Sequence, residues 1–209
     1  MSLFVTFEGI EGSGKSTHVR LLAAHLRAAG RRVLETREPG GTEAGLAIRA
    51  LLLGPDAVPL EPLAELLLYC ADRAQHLGEV VRPALAAGIV VLCDRFSDST
   101  IAYQGHARGL DLGLVRALDD QARGGLKPDL TFLLDCPAPE GLVRARGRGA
   151  AGDRFEDAPV AFHDRVRAGF HALAAAEPER FRTIDSTAPR QEVSACIIAE
   201  TERRLWSAA

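Results

Sequence analysis

Apolar and polar positions along the chain fall into two alternating kinds of run. Short, nearly continuous apolar stretches such as "VVLC" and "LTFLL" are separated by longer ones in which apolar residues recur every three or four positions. The short runs predict strands at Leu3–Glu8, Arg32–Thr36, Ile89–Cys93, Leu130–Asp135 and Phe181–Ile184. The longer ones predict helices over Lys15–Ala29, Glu43–Leu53, Pro62–Ala87, Leu112–Arg123, Glu140–Arg148, Val160–Ala176 and Pro189–Leu205. Strand alternating with helix predicts an α/β fold with a parallel sheet covered on both faces, and strands buried on both sides read as unbroken apolar runs. Ligands of such sheets bind beyond the carboxyl ends of the strands. That points to Gly9, Arg37, Asp94, Asp135 and Asp185. The stretch "RGRGAAGDRFEDAP", Arg146 to Pro159, fits neither pattern and reads as a mobile loop. No repeat or linker divides the chain, so a single domain over residues 1–209 is expected.

Composition narrows the class. A chain of 209 residues, 47% hydrophobic and 25% charged, can bury a substantial core. A net charge of −3 argues against a broad nucleic-acid surface. No signal-peptide order and no apolar run of membrane-spanning length occur, so a cytoplasmic enzyme is expected. Cys70, Cys93, Cys136 and Cys196 have no metal or redox spacing and are expected to be buried, reduced thiols.

The first candidate for chemistry is "FEGIEGSGKST", Phe7 to Thr17. Gly9, Ile10, Glu11, Gly12, Ser13, Gly14, Lys15 and Ser16 complete a G-x-x-x-x-G-K-[ST] motif between a predicted strand and a predicted helix. Glycines let backbone N–H groups converge on phosphate, and the helix N-terminus adds positive potential. Lys15 would reach the terminal phosphates, and Ser16 would place a hydroxyl on Mg²⁺. The only lysines are Lys15 and Lys127, in a chain with 25 Lys and Arg together. A compact ammonium suits a triphosphate better than a planar fork, whereas Lys127 reads as a surface charge. Glu11 is the puzzle: it sets a carboxylate inside a loop built for anions.

Other candidates lie past the remaining strands. Asp94 opens "DRFSDSTIAYQG", where P-loop enzymes keep a carboxylate near Mg²⁺, although an Asp-Arg pair also suits a surface ion pair. Arg49 follows the turn "EPGGT" and could sit on a solvated helix face. Tyr69 and Arg73, four apart, share a helix face. They could pack as core plus surface charge, or stack on a base and read its edge.

Along essentially its whole length the chain resembles the bacterial thymidylate kinases. The resemblance is carried by "FEGIEGSGKST", "TREPGGTEAG", "YCADRAQH", "DRFSDSTIAYQG", "GGLKPDLTFLLD", "GDRFE" and "TIDSTAP", in that order. It implies a P-loop nucleoside monophosphate kinase-like fold with five parallel strands in the order 2-3-1-4-5. It implies transfer of the γ-phosphoryl of ATP to dTMP with Mg²⁺, in a homodimer. Gly9 to Thr17 with Arg144 would bind ATP, the adenine falling between Arg144 and "TIDSTAP". Ser16 and Asp94 would serve the metal. Arg49 and Arg95 would hold the dTMP phosphate, Tyr69 would stack on thymine, and Arg73 and Thr100 would meet the base edge. Tyr103 would face C2′, with Gln104, Ser99, Glu38 and Pro39 also lining the dTMP site.

The P-loop here has no arginine, as in the class whose catalytic arginines come from a lid. The lid would span about residues 146–158, with Arg146, Arg148 and above all Arg154 as donors. Glu11 would then face the acceptor's sugar. Lys15, Glu11, Asp94, Arg95 and Arg154 are the expected catalytic set. A regulatory GTPase is excluded because its Asn-Lys-x-Asp motif needs asparagine, which the chain lacks. A kinase of another nucleoside monophosphate and a non-catalytic ATP-binding module are the remaining rivals.

Overall fold

Five strands follow the expected apolar runs, with boundaries that shift by at most one residue. In this computed structural model they are β1 (Leu3–Glu8), β2 (Val33–Arg37), β3 (Val90–Asp94), β4 (Leu130–Asp135) and β5 (Phe181–Asp185). The structure describes residues 2–54, 57–147 and 155–207. All four strand pairs are parallel, in the order β2-β3-β1-β4-β5. This is the expected order. It puts the carboxyl ends of β2, β3, β1 and β4 along one edge of the sheet.

The unbroken apolar runs are explained by burial on two sides. Leu3, Val5 and Phe7 of β1 pack with Val19, Leu22 and Leu26 of α1 (Lys15–Ala28) and with Val193 and Ile197 of α9 (Arg190–Ser207). Phe4, Val91 and Cys93 face the other way, onto Leu77, Val81 and Phe96. A third cluster joins Leu133 and Phe181 to Tyr103 and to α8 (Val160–Ala176) through Val166 and Phe170. The remaining helices are α2 (Glu43–Leu53), α3 (Pro62–His76), α4 (Arg82–Ala86), α5 (Ser97–Thr100), α6 (Leu112–Arg123) and α7 (Ala138–Arg146). Among the described residues no helix is long and apolar enough to cross a membrane.

Three expectations need correction. The helix expected over Pro62–Ala87 is interrupted by a π-helical turn at Leu77–Val81. Pro83 has no N–H and its ring crowds the carbonyl four residues back, so the backbone widens just before it. A second π-helical turn, Ile101–Ala107, follows α5 where no helix was expected, and the Arg108 amide reaches back to the Tyr103 carbonyl at 2.9 Å. Cys196 is exposed while the other three cysteines are buried. It lies beside the Val193/Ile197/Leu205 stripe by which α9 packs on the sheet.

Candidate active site

The Gly9–Gly14 loop leaves β1 and enters α1 through three glycines with positive φ, at positions 9, 12 and 14. At Gly12 a Cβ would run into the Gly141 carbonyl, so a side chain is excluded by contact as well as by conformation. Gly14 caps α1 without any side-chain hydrogen bond, which leaves the first amides of that helix for an anion.

Lys15 is buried and folds back over its own loop. Its Nζ donates to the carbonyls of Gly9 (3.0 Å) and Ile10 (2.7 Å) and to Ser13 Oγ (3.3 Å). Burial and the nearby Arg95 pull its pKa down to about 8, against the opposing pull of Asp94, Glu11 and Glu8. The Ser16 hydroxyl donates to Asp94 Oδ2.

A wide cleft opens over this loop. Of the expected ATP residues, Glu11, Gly12, Gly14, Lys15, Ser16, Thr17 and Arg144 line it. Gly9, Ile10 and Ser13 do not: Ile10 is packed in the core, and all three shape the loop from behind by bonding Lys15. Arg144 donates to the Ser186 carbonyl at 2.8 Å, which brings α7 against the "TIDSTAP" loop. Arg37, expected from its place just past β2, also lines the cleft, as do Arg20, Ala145 and Glu156, which sequence reasoning did not single out. Arg146 reaches the Glu156 carbonyl, while Arg148 and Arg154 lie outside the described residues. Asp135 and Asp185 line neither this cleft nor its neighbour. Arg167 holds Asp135 through both its Nε and Nη2 (2.7 and 2.8 Å), and Asp185 accepts from Thr187.

A narrower pocket adjoins the cleft. All ten residues expected at the dTMP site line it: Glu38, Pro39, Arg49, Tyr69 and Arg73, then Arg95, Ser99, Thr100, Tyr103 and Gln104. Leu53, Phe96 and Phe155 complete its apolar wall. Phe155 belongs to the "GDRFE" motif and Phe96 to "DRFSDSTIAYQG", so their signals were available; Leu53 lies in no quoted motif. Glu11, Glu38, Arg49 and Arg95 line both spaces and form the partition between them.

The partition is a web of charge. Arg95 holds a left-handed backbone, φ 70°, and spreads its guanidinium over Gly9 O (3.0 Å), Ser99 Oγ (3.1 Å), Glu11 Oε1 (2.8 Å) and Tyr103 Oη (3.1 Å). Tyr103 donates its hydroxyl to the same Glu11 oxygen at 2.5 Å. Burial alone would raise the pKa of Glu11; Arg95, then His163, Lys15 and Tyr103, outweigh it and hold it at about 2. The P-loop carboxylate is therefore a counter-ion for the partition, set between the two spaces. Behind it, Glu8 accepts from Phe96 N and from Ser99 Oγ. Burial first, and then Asp98, raise Glu8 well above the carboxylate range.

Among the described residues Arg73 is the largest fully buried side chain. Its Nε donates to Glu38 (2.9 Å), Nη1 to Asp119 (2.6 Å) and Nη2 to Thr100 (3.0 Å). Glu38 also takes His76 Nδ1 at 2.9 Å. An arginine that sequence reasoning assigned to the base edge therefore also carries structure. Truncation would take the arginine from two carboxylates exposed by 3% or less, leaving Glu38 with His76 and Asp119 with Arg123 and Ser97. Arg73→Ala is expected to lower unfolding free energy by about 3–5 kcal/mol, the scale of breaking a buried ion pair. Urea midpoints of the purified variant test this, and a loss under about 1 kcal/mol would show that the network repacks without it.

The family model described as thymidylate kinase matches residues 7–197 of the chain. The chain belongs to the thymidylate kinase family. Thymidylate kinases phosphorylate dTMP with ATP to give dTDP, and the chain is an enzyme of that kind. The thymidylate kinase of Geotalea uraniireducens is 54% identical over 210 residues, covering 98% of this chain and 99% of the relative. That of Solidesulfovibrio magneticus is 56% identical over 190 residues, covering 88% and 91%. In three dimensions the chain resembles the crystal structure of thymidylate kinase from Ehrlichia chaffeensis, with a TM-score of 0.77, 37% identity, and 96% and 98% of the two chains covered.

Proposed function

We propose that the two adjoining spaces are the donor and acceptor sites of the thymidylate kinase reaction and that phosphoryl transfer crosses the partition between them. The observation that carries this reading is the partition itself: two arginines, Arg49 and Arg95, face both spaces. ATP lies over the P-loop, its β- and γ-phosphates on Lys15 and the free amides of α1, its adenine by Arg144. To receive phosphate, Lys15 exchanges its bonds to Gly9 and Ile10 for bonds to the nucleotide. The dTMP phosphate sits on Arg49 and Arg95, so both reacting groups are held in line and their charge is neutralised.

The rest of the acceptor fills the narrow pocket. Tyr69 stacks on thymine. Three of the five N–H groups of Arg73 are engaged by Glu38, Asp119 and Thr100, which leaves one on each terminal nitrogen for the C4 carbonyl. Tyr103 crowds C2′ and Glu11 faces the sugar. Gln104, whose amide is donated to Glu65 at 2.8 Å, keeps its carbonyl for the base.

Ser16 and Asp94 suit Mg²⁺, being hard oxygen donors hydrogen-bonded to one another beside the phosphate loop. Among the described residues no group of three or more His, Cys, Asp or Glu could hold a metal. An ion here would complete its shell with phosphate oxygens and water, as Mg²⁺ ordinarily does. When bound, it neutralises phosphate charge. We assign the lid to residues 146–158, with Arg154 as its arginine, within one domain over 1–209 and a cytoplasmic setting. A homodimer is supported by the exposed leucines 46, 51, 63, 67 and 114 on α2, α3 and α6. The deciding assay incubates the purified protein with ATP, Mg²⁺ and dTMP and separates the nucleotides. dTDP and ADP are expected in equal amounts, and ADP without dTDP would refute the acceptor assignment.

A further inference from the structure

Among the described residues two buried side-chain atoms lack a hydrogen-bond partner, Glu11 Oε2 and His163 Nδ1. They lie 3.0 Å apart. The separation is that of an ion pair, although the angle misses a hydrogen bond. His163 projects from α8 with no exposed surface and meets the Phe162 ring edge-on. Its other nitrogen, Nε2, donates to the Phe155 carbonyl at 2.9 Å.

An acceptor therefore faces each ring nitrogen: Glu11 Oε2 at Nδ1 and the Phe155 carbonyl at Nε2. A residue needed there for packing alone would be apolar, because a buried imidazole costs free energy unless it is bonded. The two ends of the contact matter separately. Phe155 forms part of the acceptor pocket wall. Glu11 Oε1 carries Arg95 and Tyr103, so Oε2 is the atom by which the carboxylate can be turned or held.

We propose that His163 is a positioning residue for the acceptor: it grips Glu11 Oε2 and the Phe155 carbonyl at once, and so fixes the orientation in which Glu11 presents Arg95 and Tyr103 to dTMP. It touches no substrate and acts through Glu11. This rests on the acceptor-pocket reading above.

Three variants separate the two ends of the bridge. His163→Leu removes both the contact with Glu11 and the hydrogen bond to Phe155. His163→Asn keeps a donor near the place of Nδ1, toward Glu11, and His163→Gln keeps one near the place of Nε2, toward Phe155. His163→Leu is expected to raise the KM for dTMP by about tenfold or more, the scale of one lost hydrogen bond to a charged group. The KM for ATP should stay within about twofold. His163→Asn should recover most of the dTMP KM, and His163→Gln should track His163→Leu. Should the leucine variant fail to fold, the Asn–Gln comparison decides alone. The proposal is overturned if Asn and Gln behave alike, if Gln is the one that rescues, or if both KM values rise together. Wild-type enzyme assayed alongside keeps the two readings apart: no turnover of dTMP there refutes both, while normal turnover with indistinguishable variants refutes only the role of His163.

Discussion

Lys15→Arg is expected to be inactive despite keeping its charge, with kcat down by about a thousandfold, the upper range for losing one preorganised donor at developing charge. The reason is space. Nζ already sits within 3.0 Å of two carbonyls of its own loop, and Gly12 is pressed so closely on Gly141 that the loop cannot retreat. A planar fork cannot take the place of a compact ammonium there. Burial and Arg95 also lower the pKa of Lys15 to about 8, whereas arginine stays charged at any working pH. Coupled assays with a thermal melt as folding control would test this. A folded variant within tenfold of wild type would remove Lys15 from the donor site.

The second large effect concerns the acceptor. dTMP is expected to exceed dCMP in kcat/KM by on the order of ten-thousandfold, because a site built to hydrogen-bond one group leaves its own buried partner unpaired when that group is absent. Arg73 can only donate, and it is held rigidly by Glu38, Asp119 and Thr100. Thymine offers it a carbonyl at C4. Cytosine offers an amino group, so donor would face donor in a desolvated pocket. The missing methyl of dUMP should cost far less, roughly ten- to two-hundred-fold. Tyr103 against the sugar should hold UMP well below dUMP. Competition assays with purified monophosphates give the ratios directly, and a dTMP-to-dCMP ratio under about a hundred would mean that Arg73 does not read the base edge. The comparison changes the substrate and leaves the protein intact, so the structural burden on Arg73 does not confound it.

Much of this was legible in the chain because single stretches carried it. Nearly unbroken apolar runs located the central strands β1, β3 and β4, shorter mixed runs located the edge strands β2 and β5, and the glycine loop located the wide cleft. The ten residues expected at the dTMP site came from motif resemblance, and all ten fall in one pocket. What escaped depends on partners distant in sequence. His163 belongs to no motif and follows Phe162 in α8 without any local signal; its meaning appears only when folding sets it beside Glu11, 3.0 Å away. The counter-ions of Arg73 come from the turn just past β2 and from α6, so no local window around Tyr69 and Arg73 could reveal a structural arginine. The short helix α5 is four residues of Ser, Asp and Thr, without any periodicity to betray it.

The wide turn at Ile101–Ala107 has a consequence for inheritance. A π-helical turn holds one residue more than the α-helix it replaces. Loss of a single codon in this stretch would give back an ordinary helix, and the backbone would lose little by it. Everything beyond the deletion would nonetheless swing by about 100° relative to what precedes it. Arg108 would leave Glu65, now 3.0 Å away, and Tyr103 and Gln104 could no longer keep one pocket between them. Ile101, Ala102, Tyr103 and Ala107 are also core residues packed with Val166 and Phe170, so such a deletion would be selected against for folding as well as for growth on this enzyme's product. In descendants of this gene, the length of the segment is held from both sides, by the core it packs into and by the pocket it lines.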